Sequence, residues 1–176
     1  MKKEFISFIL LILCFLHQST LLSRFTMGGI VPNLMIVMIA TIGFLLGNRT
    51  GMWFGFVFGL ITDIFFGQII GLYACIYMFM GYLNGAFEKI LFPHDIKLPL
   101  LLIVCTDFVY SNICYILFFL LKGRFDYLYY LRRIILPELI YTTVLACIIY
   151  PFVHFIFEKI DIFDAKHMGE TYIEEQ

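Results

Sequence analysis

Long apolar runs broken by short polar segments organise this chain. A helix needs about 20 mostly apolar residues to cross ~30 Å of hydrocarbon. The runs predict six such helices, at 5–22, 32–46, 51–66, 69–87, 98–121 and 134–157. The second opens on Pro32, a residue suited to a helix first turn. The sixth opens on Pro137 with Glu138 beside it, and an acid is favoured at a helix N-terminus. Spans two and three are short, with only Gly47-Asn48-Arg49-Thr50 between them. A tight helical hairpin is preferred to one interrupted helix, because Asn48 and Arg49 at mid-membrane would be costly. The connection near 63–68 is equally tight, and wider loops fall at 23–31, 88–97 and 122–133. In the last of these, Arg124 to Arg133 mixes aromatics with charges, as a segment lying in the membrane interface does.

Beyond Phe157 the apolar pattern stops, and residues 158–176 read as a loose polar tail. The expected fold class is therefore all-α: a polytopic membrane protein, with a six-transmembrane-helix bundle over 1–157. The run 5–22 superficially resembles a signal peptide. It is longer than a typical apolar core of one, and Arg24 follows without a small-x-small cleavage site, so it reads as an uncleaved first span. Six spans put both termini on one side. With that side cytoplasmic, Lys2, Lys3, Arg49, Lys89, Lys97, Lys159 and Lys166 lie inside, against Arg24, Lys122, Arg124, Arg132 and Arg133 outside. The inside excess is small but has the expected sign.

Composition agrees with the pattern. Hydrophobic residues make up 62% of the 176 residues and charged ones 14%, too few polar groups to coat a soluble fold. A net charge of −1 supplies no basic field for nucleic acid. Cys14, Cys75, Cys105, Cys114 and Cys147 each sit in an apolar run without a CxxC pair, and read as small packing residues. His17, His94, His154 and His167 are scattered. No phosphate-binding, zinc-protease or nucleophile-elbow motif is present, so no catalytic residue, cofactor or metal ligand is assigned.

Two patterns carry information. Small residues recur every four positions at Gly43, Gly47, Gly51, Gly55, Gly59, Asp63, Gly67 and Gly71. That spacing traces one slowly winding side of a helix, and small residues let helices approach closely in lipid. The stripe predicts either packing inside the bundle or a groove for a partner's helix. Gly43, nearer a helix end, is expected to be the more tolerant position, and Asp63 to reach interfacial water. The second pattern is polar. Asp107 lies well inside span five with Ser111 on its face and Asn112 beside it, and an intramembrane acid is a functional candidate. An interhelical hydrogen-bond clamp is the competing explanation. Glu138 is accounted for by the helix start.

These residues resemble a known family, the rod-shape-determining membrane protein MreD. The likeness is densest from Arg49 to Phe92: Arg49-Thr-Gly51, Gly55-Phe-Val-Phe-Gly59-Leu, Asp63, Gly67, Gly71-Leu72, Tyr77, Gly81-Tyr82 and Leu91-Phe92. Pro32-Asn33-Leu34, Asp107 and Pro137 also fit. The resemblance implies a non-enzymatic component of the lateral cell-wall elongation machinery in a bacterial inner membrane. It implies as partners a bitopic MreC-like protein, an actin-like MreB and a peptidoglycan glycosyltransferase–transpeptidase pair. The competing class is the substrate-binding subunit of an energy-coupling-factor vitamin transporter, similar in size and glycine content. In such a carrier Asp63, Asp107 and Glu138 would line an outward polar pocket.

Overall fold

Why helices form here, and where each stops, follows largely from its glycines, prolines and caps. The computed structural model describes residues 2–22, 31–67, 69–88, 97–118 and 126–174, with side chains except at 21–22 and 166–174. Helix α1 spans Lys2–His17 and ends in a wider π turn, Gln18–Leu22. Then come α2 (Leu34–Leu46), α3 (Asn48–Phe66), α4 (Leu72–Phe87), α5 (Lys97–Phe118), the single turn α6 (Tyr127–Tyr130) and α7 (Leu136–Glu174). There is no strand among the described residues.

Helix α2 is the axis of the bundle. Leu34 to Phe44 are all buried, so this helix is apolar on every side, as a fully enclosed helix is. It packs against α1, α3, α4, α5 and α7. At ~1.5 Å per residue it is only about 20 Å long, yet it has no need to match the bilayer because protein surrounds it. Its N-terminus lies inside the bundle, where unpaired N–H groups would be costly. Three side chains satisfy them. Asn33 Oδ1 accepts from Ile36 N at 3.2 Å, Gln18 Oε1 from Met35 N at 3.0 Å, and Thr142 Oγ1 from Asn33 N at 3.3 Å. Pro32 therefore precedes the cap residue Asn33 and does not open the helix.

A single residue, Gly47, joins α2 to α3, tighter than the four-residue link the sequence suggests. Its φ of 87° is a left-handed conformation that glycine adopts without a Cβ penalty. Arg49 stays exposed at this turn. Another correction concerns the last helix. The chain enters helix at Tyr127, passes through a π turn at Leu131–Ile135 and continues to Glu174. Proline at 137 has no N–H and crowds the preceding turn, and the wider π turn just before it relieves that crowding. Nor does the helix stop at Phe157. Lys2 meets Asp164 at 2.6 Å and Lys3 meets Asp161 at 2.5 Å, tying the extension to the start of α1. The first and last helices thus begin and end at the same end of the bundle. Of the predicted loops, 23–30, 89–96 and 122–125, with Arg24, Lys89, His94, Lys122 and Arg124, lie outside the described residues, whereas 127–133 are helical. The side chains of Lys166 and His167 also lie outside them.

The outside of the bundle is as apolar as its inside. Ile64, Phe65, Ile70, Leu101, Ile140 and Ile148 are each more than 60% exposed, which suits lipid and not water. Lys2–Thr20, Lys97–Phe118 and Tyr127–Ala165 are long and apolar enough to cross a membrane, and α2 and α4 are shorter apolar helices.

Candidate functional site

The glycine stripe lies against α4. A Cβ on Gly51 would sit 2.5 Å from the Gly81 carbonyl oxygen, and one on Gly59 2.5 Å from Ala74 Cα. A Cβ on Gly55 would collide with the Tyr77 carbonyl. Each obstacle is backbone, which cannot swing aside as a side chain can. Gly43 of α2 belongs to the same junction: its Cβ would lie 2.5 Å from Gly81 O, and that of Gly51 would lie 2.6 Å from Gly43 Cα. Three helices converge on Gly43, Gly51 and Gly81. Gly43 is therefore no more tolerant than its neighbours, because α2 is central and its end is not free. Gly81 and Gly85 of α4, spaced by four, are the matching half of the stripe. Their spacing was visible in the sequence, but only the fold shows that they face Gly51 and Gly43, Asn48.

Gly67 and Gly71 do something different. Gly67 ends α3, donating its N–H to Asp63 O at 2.9 Å. Gly71 has φ 99° and nothing near its Cβ position, so backbone conformation selects glycine there. Asp63 does not reach interfacial water: it is 1% exposed. Its carboxylate accepts from Gly71 N (3.0 Å), Tyr73 N (2.9 Å) and Ala74 N (2.9 Å). It thus caps the N-terminus of α4 from the end of α3, where the helix dipole favours a negative charge.

Across the bundle, α5 and α7 form a polar seam. Positions four apart share a helix face, so Asp107 and Ser111 of α5 meet Thr142 and Glu138 of α7. Ser111 Oγ donates to Glu138 Oε2 at 3.3 Å. Glu138 lies in the first turn of α7, as expected, but the chain is already helical from Tyr127, and the Glu138 side chain turns to α5. Asp107 is fully enclosed, and neither of its oxygens has a hydrogen-bond partner among the described residues. Thr142 approaches it without closing a bond of good geometry. Asn112 stands apart from this group. It donates to Phe108 O at 2.7 Å and accepts from the Tyr127 hydroxyl at 2.8 Å, pinning α6 to α5.

A further clamp went unread in the sequence. Asn84 of α4 and Thr106 of α5 exchange hydrogen bonds at 2.9 and 3.1 Å, both residues buried. A lone Asn or Thr in an apolar run is common, and only its register against a distant helix makes it a pair. Among the described residues, no group of three or more His, Cys, Asp or Glu could hold a metal ion.

Helices locked by backbone contact and buried polar bonds, within an apolar exterior, define an all-α membrane protein. A family model, rod shape-determining protein MreD, matches residues 1–160 of the 176-residue chain. The chain belongs to the MreD family and is a rod-shape-determining membrane protein. No curated protein and no solved structure matches it.

Proposed function

We propose that this protein is a non-enzymatic scaffold of the cell-wall elongation complex, working by helix packing with partner proteins. The family match over residues 1–160 carries this reading. In it, the protein sits in the bacterial inner membrane with both termini cytoplasmic. It binds a bitopic MreC-like protein directly, and through the complex serves an MreB-like filament and a peptidoglycan glycosyltransferase–transpeptidase pair.

Geometry supports a particular mode of contact. The face bearing Gly51, Gly55 and Gly59 is filled by α4, so it is not open to a partner's helix. Contact with partners then falls to the exposed aliphatic and aromatic faces of the outer helices, where a partner helix replaces lipid. The carrier reading loses two of its three acids. Asp63 is consumed by the α4 backbone, and Asp107 is enclosed rather than open to a pocket.

Depletion of the protein should round rod-shaped cells while leaving the synthases active in detergent. It should also co-purify with an MreC-like single-span protein. Vitamin auxotrophy with normal shape would instead support the carrier. Topology has its own check: reporters fused at Lys166 and at Arg124 are expected on opposite sides of the membrane.

A further inference from the structure

Between α5 and α7 a site is left unfinished. Asp107 is 0% exposed, and both of its carboxylate oxygens lack a hydrogen-bond partner among the described residues. Buried polar groups are nearly always paired, so an orphaned one calls for an ion or a water. Its surroundings narrow the choice. Thr142 lies opposite, and Glu138 is close enough to feel the Asp107 charge. No cationic side chain acts on either carboxylate among the described residues. The hydroxyl of Thr142 accepts the Asn33 N–H, and that of Ser111 is turned to Glu138. Cys114, one turn further along α5, is turned to Tyr110. The groups left facing one another are all oxygens: two carboxylates and two hydroxyls.

We propose that the α5–α7 seam binds one hard metal cation through Asp107 and Glu138, with Thr142 and Ser111 supplying hydroxyl oxygens. Oxygen-only donors favour hard ions such as Ca²⁺, Mg²⁺ or Na⁺ over metals that prefer nitrogen or sulfur. A cation also resolves the electrostatics. An enclosed Asp107 beside a half-buried Glu138, without a counter-charge, meets repulsion and lost hydration, whereas an ion between them offsets both effects. Because Thr142 also holds the N-terminus of α2, occupancy of the seam would tighten the central helix against α7. Formal charge favours a divalent ion if both acids are ionised, and Na⁺ if one keeps its proton.

The test uses the full chain in lipid nanodiscs, stripped with chelator and melted in Ca²⁺, Mg²⁺, Na⁺ or K⁺. Choline chloride holds ionic strength constant. An ion that binds only the folded state should raise the melting midpoint saturably, by about 5–10 °C at ~100-fold excess over its Kd. Asp107→Asn should abolish the increment. Thr142→Val keeps both carboxylates and should shift the ion concentration required by about tenfold, an effect that a merely structural Asp107 would not produce. It also keeps the experiment decisive if Asp107→Asn does not fold. The same midpoint in all four salts would overturn the proposal. The two acids would then be held neutral, and stability would follow pH alone.

Discussion

The α3–α4 hairpin and the α5–α7 seam each bury an aspartate, and treat it in opposite ways. Asp63 accepts three backbone N–H groups and sits at a helix N-terminus, so its charge is matched where it stands. Asp107 is equally enclosed but has no partner for either oxygen among the described residues, and another carboxylate stands close by. Around Asp63 the helices meet backbone to backbone through glycine; around Asp107 they meet through side chains that leave polar groups over. The same residue type thus closes a structure in one half and leaves a site open in the other. Burial alone does not separate a structural acid from a candidate binding residue; the count of satisfied oxygens does.

The contrast is broken most sharply at Asp63. Asp63→Ala would leave three donors unpaired, at about 1–3 kcal/mol each, and should cost more stability than any other single change considered. Thermal melts in detergent and the yield of folded protein measure this. A protein that melts normally would show that water replaces the carboxylate.

Next comes Gly55→Leu. Overfilling a packed interior costs about 1–3 kcal/mol, and here the obstacle is the Tyr77 backbone. The variant should accumulate poorly, and Gly43→Leu should behave the same way. Normal accumulation with loss of an MreC-like partner would instead mean that the stripe serves as a partner groove.

A smaller effect is expected for the clamp between α4 and α5. A double-mutant cycle on Asn84→Ala and Thr106→Val should give a coupling of ~0.6 kcal/mol, the average for interhelical hydrogen bonds in membranes. A coupling near zero would mean that each residue finds another partner on losing the first.

The smallest loss, or a gain, is expected at Asp107. Without added metal ion, Asp107→Asn removes a buried acid and breaks no hydrogen bond among the described residues, so stability should hold or rise by up to about 1 kcal/mol. A loss as large as that of Asp63→Ala would erase the difference between the two halves. Beyond both halves, removing the exposed Lys2–Asp164 pair should cost no more than about 1 kcal/mol.

Much of this was legible in the sequence. Hydropathy is a sum over neighbouring residues, so the apolar runs gave the membrane class and the first five helices to within a few residues; the last helix runs on to Glu174 because its polar end is held by Lys2 and Lys3. Spacing by four marked Gly51, Gly55 and Gly59 as one face, because helical periodicity is local. The hydropathy pattern could not place α2 at the centre. In lipid an exposed face and a core face are both apolar, so hydropathy cannot tell which helix the others surround.

Tertiary structure alone decided the polar groups. The partners of Asp63 lie 8–11 residues on, across a turn whose geometry depends on Gly71. Ser111 meets Glu138 across 27 residues, and Asn33 meets Thr142 across 109. Which polar side chain finds which depends on the register of helices far apart in the chain. That register is set by how closely backbones can approach at glycines such as Gly43, Gly51 and Gly81. The sequence set both acids in apolar runs; packing decided that Asp63 is satisfied and that Asp107, among the described residues, is not.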